Sequence, residues 1–405
     1  MSHDQIDRTE PAERAEVDFD HTDPAIVADG HGTFRDMRER CPVAHSDKLD
    51  GFWVFSKYED LTAAARNPRV FCSSGGVTIP DFGAPVPMAP IETDPPIHTA
   101  FRQLLQREFS RTRMQQMEQP IRDLANRLID DFIADGRADF STQLAQPLPS
   151  IVIAELFGFP STDWERFRVY TETMLETAKS GDLEGNIGAA LEFCSFLAEA
   201  LDERRAHPRD DMLTRVTQAA VDGRPITEDE ALGLTLLTVV AGHETTVGGI
   251  GFLLMHVARA PEIKRRIVEE PTLIARAIEE TLRMEAPIQG IARTVTEDVT
   301  VRDQQLRAGE KVWLLWASGN RDADKFEDPD TFRLDRRINR HLGFGDGIHR
   351  CVGAPLAQLE MRVVLEEVLK RMPDFRIEDE SALTFGGGQN RLATHLPIVW
   401  STPTD

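Results

Sequence analysis

One long apolar run constrains this chain more than any other feature. Ala231 to Ala258 is nearly free of charge, and Thr227-Glu228-Asp229-Glu230 stands directly before it. That quartet has the form of a capping box, in which a threonine hydroxyl and a glutamate three residues on satisfy each other's backbone amides. The pattern predicts a helix of roughly thirty residues, long enough at about 1.5 Å per residue to cross a whole domain. The length would also span a bilayer. His243 and Glu244 sit in its middle, however, and glycines interrupt it, so a buried helix of a soluble protein is expected.

The remainder reads as wrapping for that helix. From about residue 97 to 270 the pattern is helix after helix, and Pro271 to Met284 sets Ile274, Ile278 and Leu282 on one face. A last helix is expected from Ala354 to Met372, with Leu356, Leu359, Val363 and Val368 as its apolar stripe. Phe52 to Phe55 reads as a strand, and Val299–Val301 and Lys311–Trp316 as strands around a turn at Gly309. The expected fold is mainly α with a minor β part. It forms a single large domain over 26–405, behind a polar, loosely attached tail over 1–25. Prolines and glycine in Asp81–Pro90 break both periods, so residues 73–90 are expected as a long loop of the kind that forms lids.

The formal charge of −22 argues against wholesale binding of nucleic acid or an anionic membrane. The four cysteines (Cys41, Cys72, Cys194 and Cys351) are scattered, with no CxxC pair. That suits a reducing cytoplasm better than a disulfide framework, and it disfavours structural zinc.

Cys351 stands apart from the other three. Glycines flank it in Phe344-Gly345-Asp346-Gly347-Ile348-His349-Arg350-Cys351-Val352-Gly353, and a helix follows at once. A helix N-terminus favours thiolate, and a thiolate on haem iron promotes O–O cleavage. A buried free thiol is the competing explanation. Elsewhere, Ala241-Gly242-His243-Glu244-Thr245-Thr246 puts an acid beside a hydroxyl at mid-helix. A mid-helix threonine can equally bond back to the preceding turn. His98 and Arg102 lie four apart and suit a carboxylate, or simply a solvated face. Glu280 and Arg283 form an ExxR pair on one helix face.

The pattern Phe344-x-x-Gly347-x-His349-x-Cys351-x-Gly353 resembles the haem-binding signature of the cytochrome P-450 monooxygenases. The other pairs stand in that family's order and at its usual separations. The resemblance implies haem b held between the long helix and the cysteine loop, with Cys351 as axial ligand and Phe344 near the sulfur. It implies propionate contacts from His98, Arg102, Arg293 and His349. It makes Gly242 an opening for dioxygen, Thr245 the hydroxyl of the oxygen-activating groove, and Glu244 a proton relay where the family often has Asp. Glu280 and Arg283 become a buried structural pair. Thr331 stands where the family's PxxF segment often carries Arg, so Arg336 is the expected third partner.

By the same resemblance, substrate contacts are expected from Val77, Ile79, Phe82, Met88, Val240, Ala241, Ile288, Gln289 and Ile291, and from the segment 171–186. The set carries no Lys or Arg, which favours a small neutral hydrophobic substrate. A carboxylate held by Ser73, Ser74 or Gln389 is the alternative. No flavin or iron–sulfur pattern is present, so a separate ferredoxin with an NAD(P)H-dependent reductase is expected. These would dock near Arg107, Arg111, Arg113 and Arg350 of a cytoplasmic monomer. The activity implied is insertion of one oxygen atom of O2. A peroxide-driven peroxygenase, a biosynthetic coupling enzyme and a haem-based gas or redox sensor are the competing readings. The pair Glu244-Thr245 speaks against the peroxygenase and the sensor.

Overall fold

The structure, a computed structural model, describes residues 14–81, 83–159, 165–166, 169–170, 173 and 183–402. The long helix is its axis. It spans Glu228–Arg259, and the capping box is formed: the Glu230 amide donates to the Thr227 hydroxyl over 3.2 Å, and the Thr227 amide to the Glu230 carboxylate over 2.9 Å. Arg224 holds the same carboxylate. The helix is apolar and long enough to cross a membrane, but most of its apolar stretch is buried by other parts of the chain. Helices Pro147–Phe157, Leu183–Ala206, Leu273–Glu285 and Ala354–Arg371 pack around it, with the strand Arg391–His395 on a further side. Pro147–Phe157 is buried at every residue but Glu155, which explains why its sequence is apolar all round.

The β part lies to one side. Its main sheet has five strands in the order Val43–Ser46, Phe52–Phe55, Lys311–Leu314, Ile291–Val295 and Phe71–Cys72. Lys311–Leu314 runs parallel to Phe52–Phe55 and antiparallel to Ile291–Val295. The expected turn at Gly309 therefore does not join two partners. Val299–Val301 pairs with Gln304–Leu306 instead. Val312, Trp313 and Leu314 are fully buried, and only an interior position in the larger sheet covers them. The strand also stops at Leu314, because Trp316–Gly319 turns helical.

The N-terminal expectation is also corrected. Residues 14–25 are built into the domain rather than loosely attached. The Val17 amide donates to the His45 carbonyl (2.9 Å), and the His45 amide to that of Ala15 (2.8 Å). Phe19 is wholly buried beside Phe34, Phe52 and Trp313. One aromatic anchor outweighs the polar composition around it.

Candidate active site

The cysteine loop is held by bonds to the chain itself. The Cys351 amide donates to the Phe344 carbonyl over 2.8 Å. Asp346 caps the short turn Gly347–His349 through the Gly347 amide and pairs with Arg66. Gly347 has φ of 68°, and a Cβ there would lie 2.1 Å from the Ala65 carbonyl oxygen. Its glycine character thus serves docking onto helix Tyr58–Ala65. Burial pushes the Cys351 thiol up; the amides of Gly353 and Ala354 and the charge of Arg102 pull the other way.

Across an internal cavity of about 220 Å³, Cys351 faces the long helix. That helix presents Leu237, Thr238, Ala241, Gly242 and Thr245 to the space. The Thr245 hydroxyl donates to the Ala241 carbonyl over 2.9 Å, which is the back-bonding common for a mid-helix threonine. Glu244 is buried behind this wall and accepts from Asn390 Nδ2 over 2.9 Å. A Cβ on Gly242 would meet the Ile153 side chain at 2.5 Å, so this glycine also permits close helix packing.

Arg102, Arg293 and His349 line the cavity margin, and the His98 ring lies 4.4 Å from that of His349. His349 Nε2 and Ser73 Oγ are 3.0 Å apart. Arg102 donates to the Arg350 carbonyl. Burial, and then the charges of Arg293, His98 and Arg102, push the His349 imidazole down to about 2. Burial likewise pushes Arg293 down to about 10.

A model of the cytochrome P-450 family matches residues 187–381. Cytochrome P-450 107B1 of Saccharopolyspora erythraea is 33% identical over 370 residues, covering 88% of this chain and 90% of the relative. The methyl-branched lipid omega-hydroxylase of Mycobacterium bovis is 32% identical over 91% of each chain. The solved structure of the Bacillus subtilis 168 bacillaene polyketide synthase cytochrome P-450 PksS superposes with a TM-score of 0.87 at 29% identity. It covers 95% of this chain and 100% of that one. The chain belongs to the cytochrome P-450 family of monooxygenases.

A P-450 implies haem with thiolate ligation, and this site fits one. The cavity opens directly onto the Cys351 sulfur. His98 Nε2 is buried without a hydrogen-bond partner. The Arg293 guanidinium, also buried, has its own neighbour's carbonyl, that of Ala292, as its hydrogen-bond partner at 2.7 Å. Two arginines in so dry a margin would be balanced by carboxylates, and the propionates of a haem would supply that charge.

Beneath the cysteine loop, Arg283 grips Glu280 bidentately at 2.8 and 2.9 Å, and neither side chain is exposed. Arg336 adds contacts to the same carboxylate at 3.1 to 3.2 Å, and Asn339 a further one at 3.1 Å. Pro329 contributes a carbonyl to Arg283. Arg336 therefore occupies the third-partner position, as the substitution at Thr331 suggests.

The substrate-side expectations divide. Ala241, Ile288 and Ile291 line the cavity. Val77, Ile79 and Met88 are core residues instead, at 2%, 6% and 2% exposure. Val77 offers its carbonyl to the Ala292 amide, which extends the sheet with the first part of the loop. Val240 points off the cavity face, and the Gln289 amide group is spent on the carbonyls of Glu285 and Ala286. Phe82 and most of the segment 171–186 lie outside the described residues. Ser73 serves His349, Ser74 binds Asp94 through its amide, and Gln389 lends its carbonyl to the Gln289 amide. Residues not foreseen include Leu237 and Thr238, which precede Ala241 by four and three positions. Helical spacing from Ala241 and Thr245 was the signal available for them.

Proposed function

We propose that this P-450 inserts one oxygen atom of O2 into a neutral, hydrophobic small molecule. The observation that carries the reading is one cavity lined by Cys351, by Thr245 and by the cations Arg102 and Arg293. In this reading Cys351 ligates the iron of haem b, while His98, Arg102, Arg293 and His349 hold its propionates. Bound there, haem supplies the activation of dioxygen, to which a thiolate ligand contributes electron density.

The chain's own residues hold the substrate and handle protons. Ile91, Ile153, Leu237, Ile288 and Ile291 make the walls apolar and exclude water, so a proton must be delivered along a defined route. Thr245 Oγ1 faces the cavity while its proton rests on the Ala241 carbonyl, ready to turn inward. Glu244, adjacent and buried, resupplies Thr245 from the solvent side. The hydroxyl of Thr238 is likewise spent on a backbone carbonyl, that of Leu234. No cavity cation lies away from the haem margin among the described residues, which supports a neutral substrate over a carboxylate.

Electrons would come from a ferredoxin and its NAD(P)H-dependent reductase, and the acidic chain would act as a cytoplasmic monomer. The decisive experiment is the carbon monoxide difference spectrum of the reduced, haem-loaded protein. A thiolate-type Soret shift is expected, and Cys351→His should abolish it. A shift that persists in Cys351→His would sink the ligand assignment.

A further inference from the structure

The hairpin Thr384–Gly387 with Arg391–His395 meets the long helix where Glu244 sits. Three features press its tip there. A Cβ on Gly387, whose φ is 148°, would lie 1.8 Å from the Asn390 carbonyl oxygen, so only glycine lets the tip fold back so tightly. Gly248 follows Glu244 by one helical turn on the same face, and a Cβ there would lie 2.7 Å from the Arg391 carbonyl oxygen. The tip is also bonded to the neighbouring backbone. The Arg391 amide donates to the Pro287 carbonyl over 2.7 Å, and the Gln289 amide to that of Gln389 over 2.8 Å. The outcome is that a short amide reaches a buried acid: Asn390 Nδ2 donates to Glu244 Oε2 over 2.9 Å. The other amide atom, Asn390 Oδ1, is buried and has no hydrogen-bond partner.

We propose that Asn390 is the positioning residue of the proton relay, holding Glu244 in both of its protonation states. The proposal rests on the reading of Glu244 as the relay acid. An amide cannot itself carry the proton, but it offers a donor and an acceptor on one planar group. Nδ2 suits the carboxylate. When Glu244 takes up a proton, a half-turn of the amide brings the idle Oδ1 to the O–H. When the amide turns back, its N–H disfavours an O–H on the facing oxygen, so the carboxyl turns about its own bond, an ionisable oxygen faces Asn390 again, and the O–H is carried round to the side from which its proton can pass toward Thr245. The proton enters and leaves as a carboxyl O–H, and Asn390 neither gains nor loses one.

The test compares Asn390→Ala, Gly248→Ala and Glu244→Gln in the haem-loaded full chain. Two quantities are read at one fixed pH. The first is the Glu244 carboxyl band in the infrared, isolated by subtracting the Glu244→Gln spectrum. The second is peroxide released per NADPH consumed, with a surrogate ferredoxin, its reductase and a monoterpene as probe ligand. Asn390→Ala should shift the band and raise the peroxide share several-fold, as Glu244→Gln does. Gly248→Ala, which pushes the hairpin off with Asn390 intact, should do the same. In Asn390→Ala the monoterpene dissociation constant should stay within about twofold, because Asn390 does not line the cavity. An unshifted band in Asn390→Ala overturns the proposal. So does a shifted band with an unchanged peroxide share, or a dissociation constant that rises in step with that share. If Glu244→Gln itself leaves the share unchanged, the relay reading falls and the proposal with it.

Discussion

Two buried glutamates respond to pH in opposite senses. Burial would raise the Glu280 carboxyl, but Arg283 and then Arg336 outweigh it and hold the group below its ordinary 4.5. Its contribution to stability is therefore complete above that value and is lost as pH falls through the lower folded one. Glu360 is the reverse. It is 1% exposed on helix Ala354–Arg371, its Oε2 has no partner, and burial pushes it well above 4.5. The folded state keeps a proton that the unfolded state releases, so stability falls as pH rises above 4.5 toward the folded value. Glu360→Met should therefore stabilise the protein at pH 7.5 by roughly 1–3 kcal/mol, seen as a melting point several degrees higher. The gain should shrink at pH 5. A gain that is equal at both values would contradict a neutral, buried Glu360. Arg283→Ala, by contrast, strands the Glu280 charge and should cost roughly 3–5 kcal/mol, with little folded protein recovered.

Among the elements, the cysteine loop depends on a conformation that a side chain resists. Gly347→Ala combines an unfavourable φ with a collision against the Ala65 carbonyl. It should cost about 2 kcal/mol or more, with haem content and melting point falling together; full haem retention at an unchanged melting point would refute this. How far such elements were legible depends on what their residues must do. Cys351, Arg102, Arg293, His349 and Thr245 share one cavity, and polar groups of that kind at fixed spacing have few other uses. The apolar wall was not legible in the same way. Val77 and Ile291 are equally apolar and share one core cluster, yet of the two it is Ile291 that also faces the cavity. Composition cannot separate them, because the two environments exclude water alike. The strand register around Gly309 failed for a related reason: local turn chemistry names a bend but not the strand's distant partner. Asn390 carried no signal either, since its reach to Glu244 depends on two segments 146 positions apart.

At the scale of the molecule, charge is unevenly spent. Against a formal −22, Arg107, Arg111 and Arg350 are exposed, while Arg113 is drawn to Glu108 at 3.6 Å. Exposed arginines of this kind can steer an acidic electron carrier. Arg107→Gln with Arg111→Gln should slow reduction by a ferredoxin about tenfold at low salt and flatten its salt dependence; stopped-flow rates that match the parent at every ionic strength would exclude this face. The long helix carries a different lesson. Gly233 meets the Pro87 carbonyl and Gly248 the Arg391 carbonyl, each closer than an added carbon could tolerate, while Gly242 meets the Ile153 side chain, which can give way. Along this shaft, information lies in what is missing. An alanine scan, designed to find importance by deletion, would here find it by addition. Among its most damaging changes would be the two, at Gly233 and Gly248, that add one methyl group against a backbone carbonyl.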